Sequence, residues 1–133
     1  MLVGCKTSTT KPMTGGVDFN SLNVQDTKVL KTFETAEANG KNVLLIFDAV
    51  WCGYCRKFNQ ITMKDTEVKK TLAGFEVINV DVDKYPKVLS AFTNGKSTGI
   101  PAIMMFSPEG IQTEKLVGYI KAPAFNKILK KNT

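Results

Sequence analysis

The sequence has no histidine among its 133 residues, only three cysteines, and a single arginine, Arg56, among 18 basic side chains. Each scarcity removes a class of chemistry. Without imidazole there is no Ser-His or Cys-His nucleophile pair, no histidine general base and no mixed Cys/His zinc site. Three thiols fall one short of a four-thiolate zinc or iron–sulfur site within one chain. Lysine is a point charge, whereas phosphate and base-edge readers favour the bidentate fork of arginine. The formal charge of +6 therefore reads as a solvated lysine surface, with no nucleic-acid partner. No apolar run approaches the roughly 18–20 residues that cross a bilayer. What chemistry remains must come from thiols, carboxylates, lysines or backbone.

What is present suffices for one domain with a core: 43% of residues are hydrophobic and eight are Phe. Residues 6–16 hold no aromatic or branched aliphatic side chain and cannot bury enough surface to offset ordering entropy, so residues 1–20 read as a tether and 21–133 as the domain. Leu2-Val3-Gly4-Cys5 at the head of that tether resembles the end of a bacterial lipoprotein signal, which makes Cys5 a candidate lipidation site. Only four residues precede Cys5, so the match stands either for a signal trimmed near its cleavage site or for a stray N-terminal thiol.

From Asp26 the pattern turns helical, with Val29, Leu30, Phe33, Ala36 and Glu37 on one face and Asn39-Gly40 as the stop. The continuous apolar run Val43-Leu44-Leu45-Ile46-Phe47 predicts a strand covered on both faces. A helix opens near Cys52 and breaks near Asp65-Thr66, which can cap a second piece. Residues 75–82 alternate as a strand, and residues 86–92 form a short helix with Pro in its first turn. Strands over 101–106 and 111–119 make a hairpin, and a helix over 123–131 turns Ala124, Phe125, Ile128 and Leu129 inward. The order implies an α/β fold, a three-layer α/β/α sandwich whose mixed sheet has a parallel pair and an antiparallel hairpin.

The most informative feature is Cys52-Gly53-Tyr54-Cys55, placed where a buried strand runs into a helix. Two residues between the thiols let the first stand at the helix N-terminus and the second one turn in, close enough for a disulfide. The free N–H groups and positive dipole end of the helix favour a thiolate there, making Cys52 the attacking nucleophile and Cys55 the resolving thiol. Half of a metal site, or two cysteines that merely pack, are the blander readings. A metal needs more ligands than the chain offers, and packing leaves Trp51 and Gly53 unexplained.

The segment from Phe47 to Lys57 resembles the active-site region of thioredoxin-like proteins, with their Trp-Cys-Gly-x-Cys-Lys/Arg core. Gly99-Ile100-Pro101-Ala102 and the strand after it resemble the family's Gly-Ile/Val-Pro-Thr segment, and Gly118 stands at the place of its substrate-side glycine. The resemblance covers about residues 26–131 and implies a thioredoxin fold, a cis Ile100–Pro101 bond, and Pro101 packed against the cysteines. It further implies that Trp51, Gly53, Tyr54, Ile100, Pro101 and Gly118 form the substrate surface, with the Ile100 backbone offered to an extended strand.

Three departures stand out. The family's buried Asp and its Lys partner fall by register on Ile46 and Val77, which leaves the base for Cys55 open among water, Asp48 and the leaving thiolate of the substrate. Gly-Tyr replaces Gly-Pro between the cysteines, and the loop at residues 93–98 is longer than usual, a surface insertion or a determinant of partner choice. The resulting expectation is a monomeric disulfide reductase of the bacterial cell envelope, periplasmic or lipid-tethered through Cys5. It acts on protein disulfides, is recharged by an upstream thiol donor, and needs no cofactor beyond its own disulfide. The rivals are an oxidase or isomerase with the same residues, a Cu(I)-binding metallochaperone-like module, and a cytoplasmic location.

Overall fold

The computed structural model describes residues 27–133. Helix α1 (Thr27–Asn39) precedes strand β1 (Asn42–Asp48), then α2 (Gly53–Lys57), which passes without interruption into a π turn over Phe58–Thr62. Helix α3 (Thr66–Thr71), β2 (Phe75–Asp81), α4 (Pro86–Thr93), β3 (Ala102–Phe106), β4 (Gln112–Val117) and α5 (Ala122–Lys131) follow. The sheet order is β2-β1-β3-β4, with β1 parallel to β2 and antiparallel to β3, and β3 antiparallel to β4. This is the expected three-layer, mixed-sheet thioredoxin fold.

The alternation along the central strands sorts the core into two layers. Val43, Leu45 and Phe47 of β1 join Ala102, Met104 and Phe106 of β3 beneath α1 and α4. Leu44 and Ile46 with Ile103 and Met105 point the other way, onto Phe58, Val68, Phe125 and Leu129. Residues 43–47 are fully buried, the burial a strand covered on both faces requires. Aromatic edges fill each layer: Phe33 meets Phe106 at 4.9 Å between centroids, and Phe58 meets Phe125 at 5.0 Å.

Local signals explain the boundaries. After α1, Gly40 adopts φ +67°, and the Lys41 and Gly40 amides return to the carbonyls of Ala36 and Glu37, closing a Schellman motif. Asp65 caps α3 by accepting from the Glu67 and Val68 amides at 3.0 and 3.1 Å.

Several sequence expectations need correction. Of the predicted α1 face, Val29, Phe33 and Ala36 are buried, Leu30 is half-buried and Glu37 is exposed, because the sheet covers a narrower stripe than the apolar spacing suggests. In α5, Phe125 and Leu129 are buried and Ile128 is half-buried, but Ala124 faces solvent. The second and third strands begin or end one residue short of expectation, and the fourth is confined to Gln112–Val117. Thr93 belongs to α4, where it is buried and donates to the Leu89 carbonyl, so the following loop begins at Asn94, in the left-handed region at φ 56°. The tether and Cys5 lie outside the described residues.

The π turn has its own anchor. Thr62, fully buried, donates its hydroxyl to the Ile120 carbonyl at 2.6 Å, tying the end of the active-site helix to the entry of α5. Thr62→Val keeps the shape but strands that carbonyl, and is expected to cost about 1–3 kcal/mol, read as a lower urea midpoint with an unchanged slope.

Candidate active site

The active-site loop forms where β1 ends at Asp48 and α2 begins. Cys52 is the N-cap of α2, with extended φ/ψ, and its Sγ accepts the Cys55 amide at 3.1 Å. The helix terminus thus aims a backbone donor at the first sulfur, the arrangement that stabilises a thiolate in the reduced form. Cys52 and Cys55 are joined by a disulfide, their Cα atoms 5.2 Å apart. Neither is prominent: Cys52 is 5% and Cys55 1% exposed, packed with Ala49, Val82 and Ile100. A place at the helix N-terminus thus does not expose the first thiol. In the oxidised state its sulfur lies against the Ile100 carbonyl, at 3.8 Å, and only the surrounding side chains stand in water.

Those side chains are apolar. Val50 is 74% exposed, and Trp51 and Tyr54 are each 65% exposed. The Ile100–Pro101 bond is cis and Pro101 is buried beside the pair's shell, while Ile100 is half-buried against it. The Pro101 carbonyl accepts from the Gly118 amide at 2.8 Å, and Gly118 holds φ +100°, a backbone only glycine takes without strain. Gly99 leaves room for Val117, whose Cγ1 would lie 3.0 Å from a Cβ placed there. Gly53 opens α2 with free space around it. Of the six predicted substrate-surface residues, Trp51 precedes the pair, Gly53 and Tyr54 open α2 between its two cysteines, Ile100 packs against it, and Pro101 and Gly118 follow in the facing loops, joined by their hydrogen bond.

Three residues that carried no assigned role in the sequence hold the frame. Asp83 accepts the Trp51 indole N–H at 2.8 Å, steadying a ring that is otherwise mostly in solvent. Arg56 reaches back to donate to the Val50 carbonyl at 2.8 Å. Lys57 places its ammonium 4.7 Å from the centre of the Tyr119 ring. Asp83 was visible as part of Asp81-Val82-Asp83 at the end of a strand, but no spacing rule links it to a tryptophan 32 residues earlier.

The departures from the family pattern acquire a geometry. Ile46 is fully buried, whereas Val77 is 40% exposed and pairs in register with Leu44, so the residue beside Ile46 is Asn79. Asn79 donates to Asp48 at 2.8 Å and to the Asn59 carbonyl oxygen at 3.2 Å, and Asn59 donates to Asp48 at 3.1 Å. A neutral-amide and carboxylate triad thus joins β1, β2 and the π turn. Asp48 is occupied as a structural acceptor within it.

Comparison with known proteins agrees with this construction. Residues 29–133 match the model of the thioredoxin-like domain family. The thiol:disulfide interchange protein DsbD of Klebsiella pneumoniae is 34% identical over 98 residues, covering 71% of this chain and 16% of that protein. The chain thus spans about one sixth of the length of the curated relatives it matches. Among solved structures, the reduced C-terminal domain of DsbD from Neisseria meningitidis superposes with a TM-score of 0.66 at 27% identity, over 81% of this chain and 97% of that one. A disulphide isomerase from Xylella fastidiosa shares the fold at a TM-score of 0.69 and 21% identity, over 86% of this chain and 95% of that one. With the Cys-x-x-Cys disulfide at a helix start and a cis-proline beside it, this chain belongs to the family of thioredoxin-like thiol:disulfide oxidoreductases.

Proposed function

We propose that the protein is a disulfide reductase of the bacterial cell envelope, acting on protein disulfides through Cys52 and Cys55. The observation that carries the reading is the Cys55 amide directed at the Cys52 sulfur at the start of α2, since it favours Cys52 as the thiolate. In the reduced protein the Cys52 thiolate attacks a substrate disulfide; its S–S bond breaks, a mixed disulfide forms and a substrate thiolate leaves. Cys55 then loses its proton and attacks the Cys52 sulfur, releasing the second substrate thiolate and leaving Cys52–Cys55 oxidised. Two electrons have passed to the substrate, and an upstream dithiol returns them. With Ile46 in place of a buried acid and Asp48 engaged by two asparagines, the substrate's leaving thiolate is the base for Cys55. Trp51, Gly53, Tyr54, Ile100, Pro101 and Gly118 form the contact surface, and the Ile100 backbone accepts an extended strand.

The envelope location is supported by relatives named thiol:disulfide interchange proteins and by Leu2-Val3-Gly4-Cys5, with Cys5 as the acylated anchor. Two measurements test these readings separately. Equilibration of the Cys52–Cys55 pair with glutathione is expected to give a potential nearer the thioredoxin value of about −270 mV than the oxidant end of about −120 mV; a value at the oxidant end would overturn the reductase direction. Fractionation of cells expressing the full gene product is expected to place it in membranes, and Cys5→Ala to release it; an identical soluble distribution of both would remove the anchor.

A further inference from the structure

The charge of the molecule is segregated. The helical layer formed by residues 53–74 and 121–131 carries nine of the sixteen cations of the described residues and two of their ten carboxylates. Outside it, seven cations meet eight carboxylates, so the positive balance of the described residues belongs to one side. Helices α3 and α5 hold most of it. Lys69, Lys70, Lys121, Lys127, Lys130 and Lys131 are all exposed. Lys127 and Lys131 are one turn apart and point away from the buried Phe125 and Leu129. The two helices are locked side by side by the Thr71 hydroxyl on Asn126 at 2.6 Å, so their lysines form a single surface.

Little neutralises this surface. Asp65 is consumed in capping α3. Glu67 pairs with Lys70 at 3.3 Å, and Glu114 approaches Lys131 only at 4.0 Å from the edge strand. The same layer exposes an isoleucine: Ile61, on the π turn, is 53% exposed, and its carbonyl accepts the amide of the exposed Lys64.

We propose that this face rests on an anionic lipid surface, its lysines over phosphate headgroups and Ile61 dipping into the interface. The chemistry favours lipid over a structured anion. The cations are lysines, point charges without the bidentate fork that shaped phosphate sites select, and they are spread over two helices. An exposed aliphatic side chain in the same layer gains burial in an acyl boundary. The lysines of this contact sit on α3 and α5, whereas Trp51 leans on Asp83 in the loop after β2, so its ring stays accessible in this pose. The contact does not depend on acylation of Cys5; where both exist, the basic face supplies the second signal that stabilises a tethered protein.

The test uses the full chain carrying Cys5→Ser, so that no acyl chain contributes, with sedimentation on vesicles of mixed phosphatidylglycerol and phosphatidylcholine or of phosphatidylcholine alone. Binding is expected on the anionic vesicles only, falling steeply as salt rises from about 0.05 to about 0.5 M. Replacing Lys69, Lys70, Lys127 and Lys131 by Gln is expected to weaken it at least about tenfold, given the size of one lysine's contribution near an anionic surface. The matched change of Lys28, Lys31, Lys84 and Lys87 on the opposite side is expected to alter it less than about twofold, with both sets checked for unchanged circular dichroism. Equal loss in the two sets would reduce the effect to net charge and overturn the proposal. So would an absence of vesicle binding alongside retention on polyglutamate, which would assign the face to an acidic protein.

Discussion

Cys52→Ser is expected to reduce insulin-disulfide reduction by at least about three orders of magnitude, because a serine hydroxyl does not ionise near neutral pH and cannot form the mixed disulfide. Cys55 is a poor substitute attacker: it is 1% exposed and lies one turn inside the helix. Cys55→Ser should behave differently. Its first attack survives and its resolution fails, so a mixed disulfide with substrate accumulates, visible on a non-reducing gel and dispersed by dithiothreitol. The asymmetry between the two variants is the diagnostic result. Accumulation with Cys52→Ser in place of Cys55→Ser would reverse the assigned roles, and full turnover in Cys52→Ser would end the mechanism.

The second large effect concerns the place where the family carries a buried acid. Ile46 is fully buried, with Ile103 opposite it in register and Phe58 and Phe125 in the same apolar cluster. Ile46→Asp puts a carboxylate among them without a cation, since the residue beside it on β2 is the neutral Asn79, and is expected to cost about 3–5 kcal/mol at pH 7. The pH dependence fixes the cause. Burial raises the pKa of the new carboxyl in the folded state above its unfolded value, so folding favours the protonated form. The variant should be nearest to wild type below the unfolded carboxylate pKa of about 3.9 and lose stability as pH rises through the folded value. Ile46→Val, which removes one methyl group, should cost about 0.5–1.5 kcal/mol with no such slope. A flat pH profile for Ile46→Asp, measured by urea unfolding, would mean that the side chain reaches water.

These two positions also show how far residues alone carry the reading. The strand–helix order, the two-sided burial of residues 43–47, the Asp65 cap and the convergence of Cys52, Cys55 and Pro101 follow from periodicity, capping chemistry and motif spacing. Each is set by neighbours close in sequence or by a resemblance that fixes the fold. What escaped were contacts between distant segments: Trp51 with Asp83, Thr62 with Ile120, and Asp48 with Asn59 and Asn79. Polar side chains on a surface pattern look alike until the sheet register brings particular ones together. The near-complete burial of both cysteines escaped for the same reason, because it depends on Ile100 and Val82 closing over them from other loops.

The π turn at Phe58–Thr62 has a consequence for chain length. A π turn holds one residue more than the α turn it replaces, so the phase of the helix changes between Phe58, which faces the sheet, and Thr62, which faces the start of α5. Deleting one residue here would let the turn relax to α geometry with the flanking residues close to their present phase, whereas the same deletion in a regular α turn would rotate everything after it by about 100° about the helix axis. Among relatives, length variation in this segment should therefore fall inside a helix, and a homologue with a regular α turn at this point should carry one residue fewer.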